Sequence, residues 1–246
     1  MTAVSVLAAA VTIAMFISQL SIVSELRRAA HRSRTIGSVG GSVPPILQFL
    51  VSFLSSILWL KYGLLKTDTT IIFVNIIGTI VASYILCCFW YYSAKRRYVE
   101  TRFLFTVILG LLTIGYVDQS QGDAWAVDAF SMVCCLMSLV FLGSPLGQIG
   151  SVVRLRDASV LLPSVTALAL ANNVLWFVYG YVHNDAFMLF PNAIGSALCA
   201  LQLGLIGYYG RAAAAATHIN SNDLPMAAII SNNESERQKE EEEENG

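Results

Sequence analysis

Charge is what this chain lacks most. Of its 246 residues only 15 are Lys or Arg and 16 are Asp or Glu; charged residues total 13%, against roughly 25% in an average soluble domain. With 56% hydrophobic residues and a mean hydropathy of +0.64, a water-soluble fold would run short of polar surface. The net charge is −1 and the acidic residues crowd the C-terminus, so nucleic acid is not an expected partner. Histidine is scarce too. His31, His183 and His218 fall in loops or the tail, away from any cysteine or carboxylate pair. No hydrolytic or redox constellation, metal cage or resident cofactor is therefore expected, and the chain does not read as an enzyme. Cys87, Cys88, Cys134, Cys135 and Cys199 all lie in apolar runs, which suits buried packing rather than disulfides or zinc. Between Arg97 and Lys239 there is no lysine at all, so a retinal protein, which needs a Schiff-base lysine in its last helix, is excluded.

What fills the chain is long apolar runs, at 3–24, 43–65, 70–92, 103–117, 124–146, 160–182 and 186–210. Since a span needs roughly 20 residues, the expected fold is an all-α membrane protein of seven transmembrane helices, with the lipid bilayer as its first partner. The run at 103–117, bracketed by Arg102 and Asp118, is the shortest and is read as a span rather than a connector. The first run has no basic segment before it and is read as a retained helix, not a signal peptide. Arg27, Arg28, Arg32 and Arg34 follow run one; Lys95, Arg96, Arg97 and Arg102 follow run three; Arg154 and Arg156 follow run five. Those loops are expected in the cytosol, which puts the N-terminus outside. Residues 211–246, an alanine run and then a polar tail ending in five consecutive glutamates at 240–244, are expected to be a disordered cytosolic tail.

Laying residues 59–78 over 176–195 without a gap gives eight identities: Trp59/Trp176, Tyr62/Tyr179, Gly63/Gly180, Asp68/Asp185, Phe73/Phe190, Asn75/Asn192, Ile77/Ile194 and Gly78/Gly195. Each window runs from the end of one span, through a short turn, into the next. The repeat unit is then a three-helix bundle, residues 3–92 and 124–210. Two odd-numbered bundles in one chain point in opposite directions unless one span separates them, and 103–117 supplies that linker helix. Parallel repeats of this kind place a substrate site near mid-depth, between the halves.

With these motifs the chain resembles the SWEET sugar transporters (MtN3/saliva type) over about residues 5–210. The second half carries the closer match, in Phe141 to Leu146 with Gly143, Ser144 and Pro145, then Trp176, Tyr179, Gly180 and Asp185, then Pro191, Asn192 and Gly195, then Leu201, Gln202 and Leu203. The first half repeats it as Trp59, Tyr62, Gly63, Asp68, Asn75 and Gly78. The resemblance implies two three-helix bundles, a linker helix and passive, bidirectional sugar movement by alternating access. Family members carry a bending proline in the first helix of each half and another in the second. Pro145 matches, Gln19 stands at its first-half counterpart, and Pro44, Pro45 and Pro163 are offset from the second-helix positions.

Asn75 and Asn192 each put an amide into an apolar helix, where an unpaired polar group costs about 2–7 kcal/mol. Duplication favours their facing one cavity and binding a sugar over the rival reading, hydrogen bonding between helices. Trp59 and Trp176 offer aromatic planes for a pyranose ring, with interfacial anchoring or core packing as the alternative. Members handling disaccharides are thought to keep smaller residues there, so two indoles imply a monosaccharide such as glucose. Tyr62, Asp68, Tyr179 and Asp185, near the outer helix ends, are expected to form a gate hydrogen-bonded across the halves, with outer-loop polarity and an aromatic belt as the alternative. Pro145 and Pro191 are expected to be bending points, with a simple helix-end proline as the alternative for Pro191. Only Lys61 and Asp128 bring charge into a span, so no proton or sodium relay is expected and transport is uncoupled. Two other readings stay open: a PQ-loop-type carrier of another small neutral solute, and a non-transporting membrane adaptor. Gly143 and Gly147, four apart, leave room for a homo-oligomer. The cell surface is the expected membrane, with the Golgi or another endomembrane as the alternative.

Overall fold

The computed structural model describes residues 3–36, 46–93, 95–120 and 123–222, in which helices are joined by short turns and no strand occurs. The elements are α1 (Ala3–Ser18), α2 (Ser21–Ile36), α3 (Ile46–Leu65), α4 (Thr69–Tyr92), α5 (Arg96–Gln119), α6 (Ala124–Phe141), α7 (Gly143–Leu155), α8 (Pro163–Val182) and α9 (Ala186–Asn222). Taking α1 with α2 and α6 with α7 as two broken helices leaves seven that are long and apolar enough to cross a membrane.

The helices depart from the expected runs in several places: α2 and α7 continue to Ile36 and Leu155, past the expected ends at 24 and 146, and α8 starts at Pro163 rather than 160. The first span breaks at Gln19 and Leu20, where the amides of both residues reach back only three residues, to Phe16 and Ile17. No proline is present, but Ser18, Ser21 and Ser24 each donate to the carbonyl three residues earlier, offering bonds that compete with the regular helix. The fifth span breaks at Leu142, three residues before Pro145, whose missing N–H and ring disrupt the preceding turn. α5 runs over 96–119 rather than 103–117, because the helix continues through polar ends that hydropathy alone does not count. α9 continues to Asn222, past the expected end at 210, through the alanine run at 212–216, the residue type with the strongest helix preference. The rest of the expected tail, 223–246, lies outside the described residues, as do Pro44 and Pro45.

Both hairpin turns, between α3 and α4 and between α8 and α9, are built alike. Thr67 and Asn184 take left-handed φ of 52°. The Asp68 amide reaches the Gly63 carbonyl and the Asp185 amide the Gly180 carbonyl, each at 2.8 Å, which closes a Schellman turn. The aspartate then caps the next helix: Asp68 Oδ1 accepts from the amides of Thr70 and Ile71 at 2.9 and 3.1 Å, and Asp185 Oδ1 accepts from Met188 at 3.3 Å. A glycine brings the paired helices together. A Cβ on Gly63 would stand 3.0 Å from the Ile72 nitrogen, and one on Gly180 would stand 2.9 Å from the Leu189 nitrogen.

In each half the third helix is packed against both others: α4 against α1, α2 and α3, and α9 against α6, α7 and α8. The halves meet through α1 with α8 and α3 with α6, while α5 lies mainly along α3, held at its end by the Lys61–Asp118 ion pair. One apolar cluster crosses between the halves at the hairpin-turn end, joining Ala8, Leu58, Tyr62 and Ile71 to Phe130, Cys134, Trp176 and Tyr179. A second, with Ile22, Leu26, Phe49, Ile85 and Phe89, fills the far end of the first half alone. At the positions matching Ile22 and Ile85 the second half has Gln148 and Gln202, hydrogen-bonded at 3.1 Å. The cysteines divide: Cys134, Cys135 and Cys199 are buried, whereas Cys87 is exposed on the outer surface of α4, so the expectation of uniform burial is corrected. Helix packing, not hydropathy, decides which side of an apolar helix a residue takes.

Replacing Gly180 with Ala should lower stability by about 1–3 kcal/mol, because backbone rather than a flexible side chain blocks the methyl. Gly204→Ala, which meets nothing within 4 Å, should leave it unchanged or higher. The thermal midpoints of the purified variants compare the two.

Candidate functional site between the halves

The site grows from the two hairpin turns inward. Tyr62, fully buried on α3, donates its hydroxyl to Asp185 of the other half. Tyr179 on α8 donates to Asp68, with 2.7 Å to Oδ2 and 3.0 Å to Oδ1. Each carboxylate therefore caps a helix of its own half and accepts a phenol from the other. Cations or imidazole cover the phenol rings at matched positions: the Lys66 ammonium lies 5.7 Å from the Tyr62 centroid, and the His183 ring stacks 4.1 Å from that of Tyr179.

One turn deeper stand Trp59 and Trp176, each edge-on to the tyrosine of its own helix with centroids 5.0 and 5.3 Å apart. Neither is an interfacial anchor; the exposed tryptophans are Trp125, 61% exposed, and Trp90, 39% exposed. The Trp59 indole donates to Ser138 at 3.1 Å and the Trp176 indole to Thr12 at 2.7 Å, so these bonds too run between the halves. Thr12 is also 2.7 Å from Asn172 Oδ1.

Below the indoles lies a cavity of about 260 Å³, lined by Trp59, Asn75 and serines 52, 55 and 56 from one half and by Ser138, Asn172, Trp176 and Asn192 from the other. Phe16, Gln19 and Phe141 line it near the two helix breaks, and no lining residue carries a charge. The asparagine amides behave identically. Asn75 Nδ2 donates to the Ile71 carbonyl at 2.8 Å, and Asn192 Nδ2 to the Met188 carbonyl at 2.7 Å, each one turn back on its own helix. Neither bonds a second helix among the described residues, so interhelical bonding does not account for them. Each amide keeps an oxygen and one N–H for whatever enters the cavity.

The residues singled out in the sequence are thus brought together in two layers, four at the closed end and four around the cavity. Pro145 is half-buried at the break between α6 and α7, and Pro191 is buried within α9. Asp128 lies exposed on α6, away from the cavity, and Lys61 pairs with Asp118. Thr12, Ser138, Asn172 and the three serines escaped the sequence reading. Thr12 and Ser138 are 126 residues apart and lie outside the window offset by 117; the register that sets Gln19 against Pro145 is also 126 and is the signal that could have paired them.

A family model described as "sugar efflux transporter for intercellular exchange" matches residues 2–97 and 128–214, the two halves without most of α5. The chain belongs to this family. Its membership places it among sugar transporters, not enzymes. Among relatives, the sugar transporter SWEET1 of Dictyostelium discoideum is 27% identical over 214 residues, covering 85% of this chain and 93% of its own. That of Caenorhabditis elegans is 31% identical over 202 residues, covering 82% and 63%. The structure of a eukaryotic SWEET transporter superposes with a TM-score of 0.74 at 23% identity, covering 85% of this chain and 96% of that one. The fold is therefore the seven-helix SWEET architecture.

If the phenol–carboxylate bonds hold the hairpin-turn end shut, each contributes about 1.5–3 kcal/mol. Replacing Tyr62 and Tyr179 together by Phe should then raise the modification rate of Cys134, buried in that plug, by at least about tenfold with a membrane-impermeant thiol reagent. An unchanged rate, followed by mass spectrometry, would assign closure to apolar packing instead.

Proposed function

We propose that this chain is a bidirectional, uncoupled facilitator of a monosaccharide such as glucose, working by alternating access. The observation that carries the reading is the uncharged cavity between the halves, into which Asn75 and Asn192 present amides with spare donors and acceptors beside two indoles. Sugar hydroxyls donate and accept, which suits an amide, and the C–H faces of a pyranose suit an aromatic plane. A charged substrate would call for a charged partner, and the lining has none. The cavity is slightly below the roughly 300–1,000 Å³ of drug-sized sites, which favours a small sugar over a disaccharide. Family membership and relatives named as sugar transporters support the same reading.

The arginines and lysines along α2, around the start of α5 and at the end of α7 favour placing those segments in the cytosol, with the N-terminus outside and the cell surface as the working membrane. The tyrosine–aspartate end then faces outward, and this state is closed to the outside. Release of the four gate residues, with bending at the breaks near Gln19 and Pro145, would open that end and return the sugar. Gly143 and Gly147, where a Cβ would meet nothing within 4 Å, leave a flat strip free for a second copy.

Uptake of labelled glucose into vesicles holding the purified protein, with no ion gradient, tests this reading. Saturable flux is expected without alkalinisation of the medium, faster than sucrose flux. Asn75→Ala and Asn192→Ala should each cut it about tenfold or more while the protein stays folded, as the loss of one or two hydrogen bonds implies. Flux no greater than in empty vesicles would overturn the sugar assignment.

A further inference from the structure

An indole has one N–H and no acceptor, so inside a membrane protein it has one bonding direction to satisfy. Here each indole of the cavity satisfies it on the opposite half: Trp59 on Ser138 of α6, Trp176 on Thr12 of α1. The hydroxyls are themselves held. Ser138 Oγ donates to the Cys134 carbonyl at 3.2 Å, and Thr12 Oγ1 lies 2.8 Å from the matching carbonyl of Ala8. Each hydroxyl has one proton, engaged along its own helix in Ser138 and shared between the Ala8 carbonyl and Asn172 Oδ1 in Thr12, and in both halves a remaining lone pair receives the indole of the other.

We propose that Thr12 and Ser138 are positioning residues that set the plane of the opposite half's tryptophan, so that the sugar platform is assembled only while the halves are drawn together at the hairpin-turn end. Neither hydroxyl need touch sugar for this. Separating α1 from α8 and α3 from α6 removes both acceptors at once, and the freed rings lose the orientation that a pyranose face requires. Opening the gate and loosening the sugar thereby become one event. The two sides are unequal: Thr12 holds its indole at the shorter distance and also meets Asn172, so Trp176 is the more firmly fixed ring.

The inference rests on the sugar-transport reading for its flux consequence, and an arm without sugar keeps the two separable. In full-length protein carrying Trp90→Phe and Trp125→Phe, all tryptophan emission, excited selectively over tyrosine, comes from Trp59 and Trp176. Thr12→Val keeps the side-chain shape and removes the hydroxyl; it should shift that emission to the blue, and Thr12→Ser should restore it. In glucose flux, Thr12→Val should raise KM about tenfold with a smaller change in maximal rate, the scale of ordering one side chain. Thr12→Ser should again rescue it, and Ser138→Ala should have the weaker effect. In a Trp176→Phe background, which has no N–H to lose, Thr12→Val should add nothing. An emission spectrum indifferent to Thr12→Val would overturn the positioning role even if glucose is carried. So would an equal KM penalty with and without Trp176, because Thr12 would then act on sugar or on Asn172 directly. Absence of glucose flux in the parent protein would instead sink the sugar reading and leave the emission result to decide this one.

Discussion

Two carboxylates organise the hairpin-turn end of this protein. Asp68 and Asp185 each close a tight turn and cap the helix that follows, and each also accepts the phenol of a tyrosine from the other half. A carboxylate with four lone-pair sites can do all of this at once, which a serine or asparagine cap could not do with the same charge. The caps fix where α4 and α9 begin, and so fix the depth at which Asn75 and Asn192, two turns further on, reach the cavity. The phenols fix how close the halves stand, and so whether the indoles beneath them find their acceptors.

The geometry is that of a clasp at one end. The cross-half bonds of Tyr62, Tyr179, Trp59, Trp176 and Thr12 all lie at the cavity or on its hairpin-turn side. The halves are not equivalent beyond the cavity. The first is filled by an apolar cluster around Ile22 and Ile85, whereas the second substitutes the Gln148–Gln202 hydrogen bond. An apolar cluster resists separation in proportion to its buried area, while a lone amide pair can exchange partners with little loss. On those grounds the second half is the more readily bent, and its break carries the proline.

Much of this was readable in the residues. Composition and run lengths gave seven spans, and the duplicated Trp, Tyr, Asp and Asn gave the halves and both layers of the site, because an ungapped repeat preserves register across a hairpin. What stayed hidden had physical causes. The first helices align at an offset of 126, the register that sets Gln19 against Pro145, but a single hydroxyl barely dents the hydropathy of its run, so nothing in that register singled out Thr12 and Ser138. The break at Gln19 needed no proline because three serines spaced three apart supply competing bonds. The ends of α5 and α9 lay beyond the apolar stretch, where helix propensity continues after hydropathy stops.

The halves are expected to move as two bodies, clasped at the hairpin-turn end in this state and parted there in another. Spin labels at the repeat-matched, exposed positions Leu64 and Tyr181, in protein with Cys87 replaced by Ser, measure that separation directly by pulsed electron spin resonance in bilayers. Two distance populations, one matching this structure and one longer, with proportions that respond to glucose, are expected. A single distance unchanged by glucose would contradict a carrier that alternates at this end.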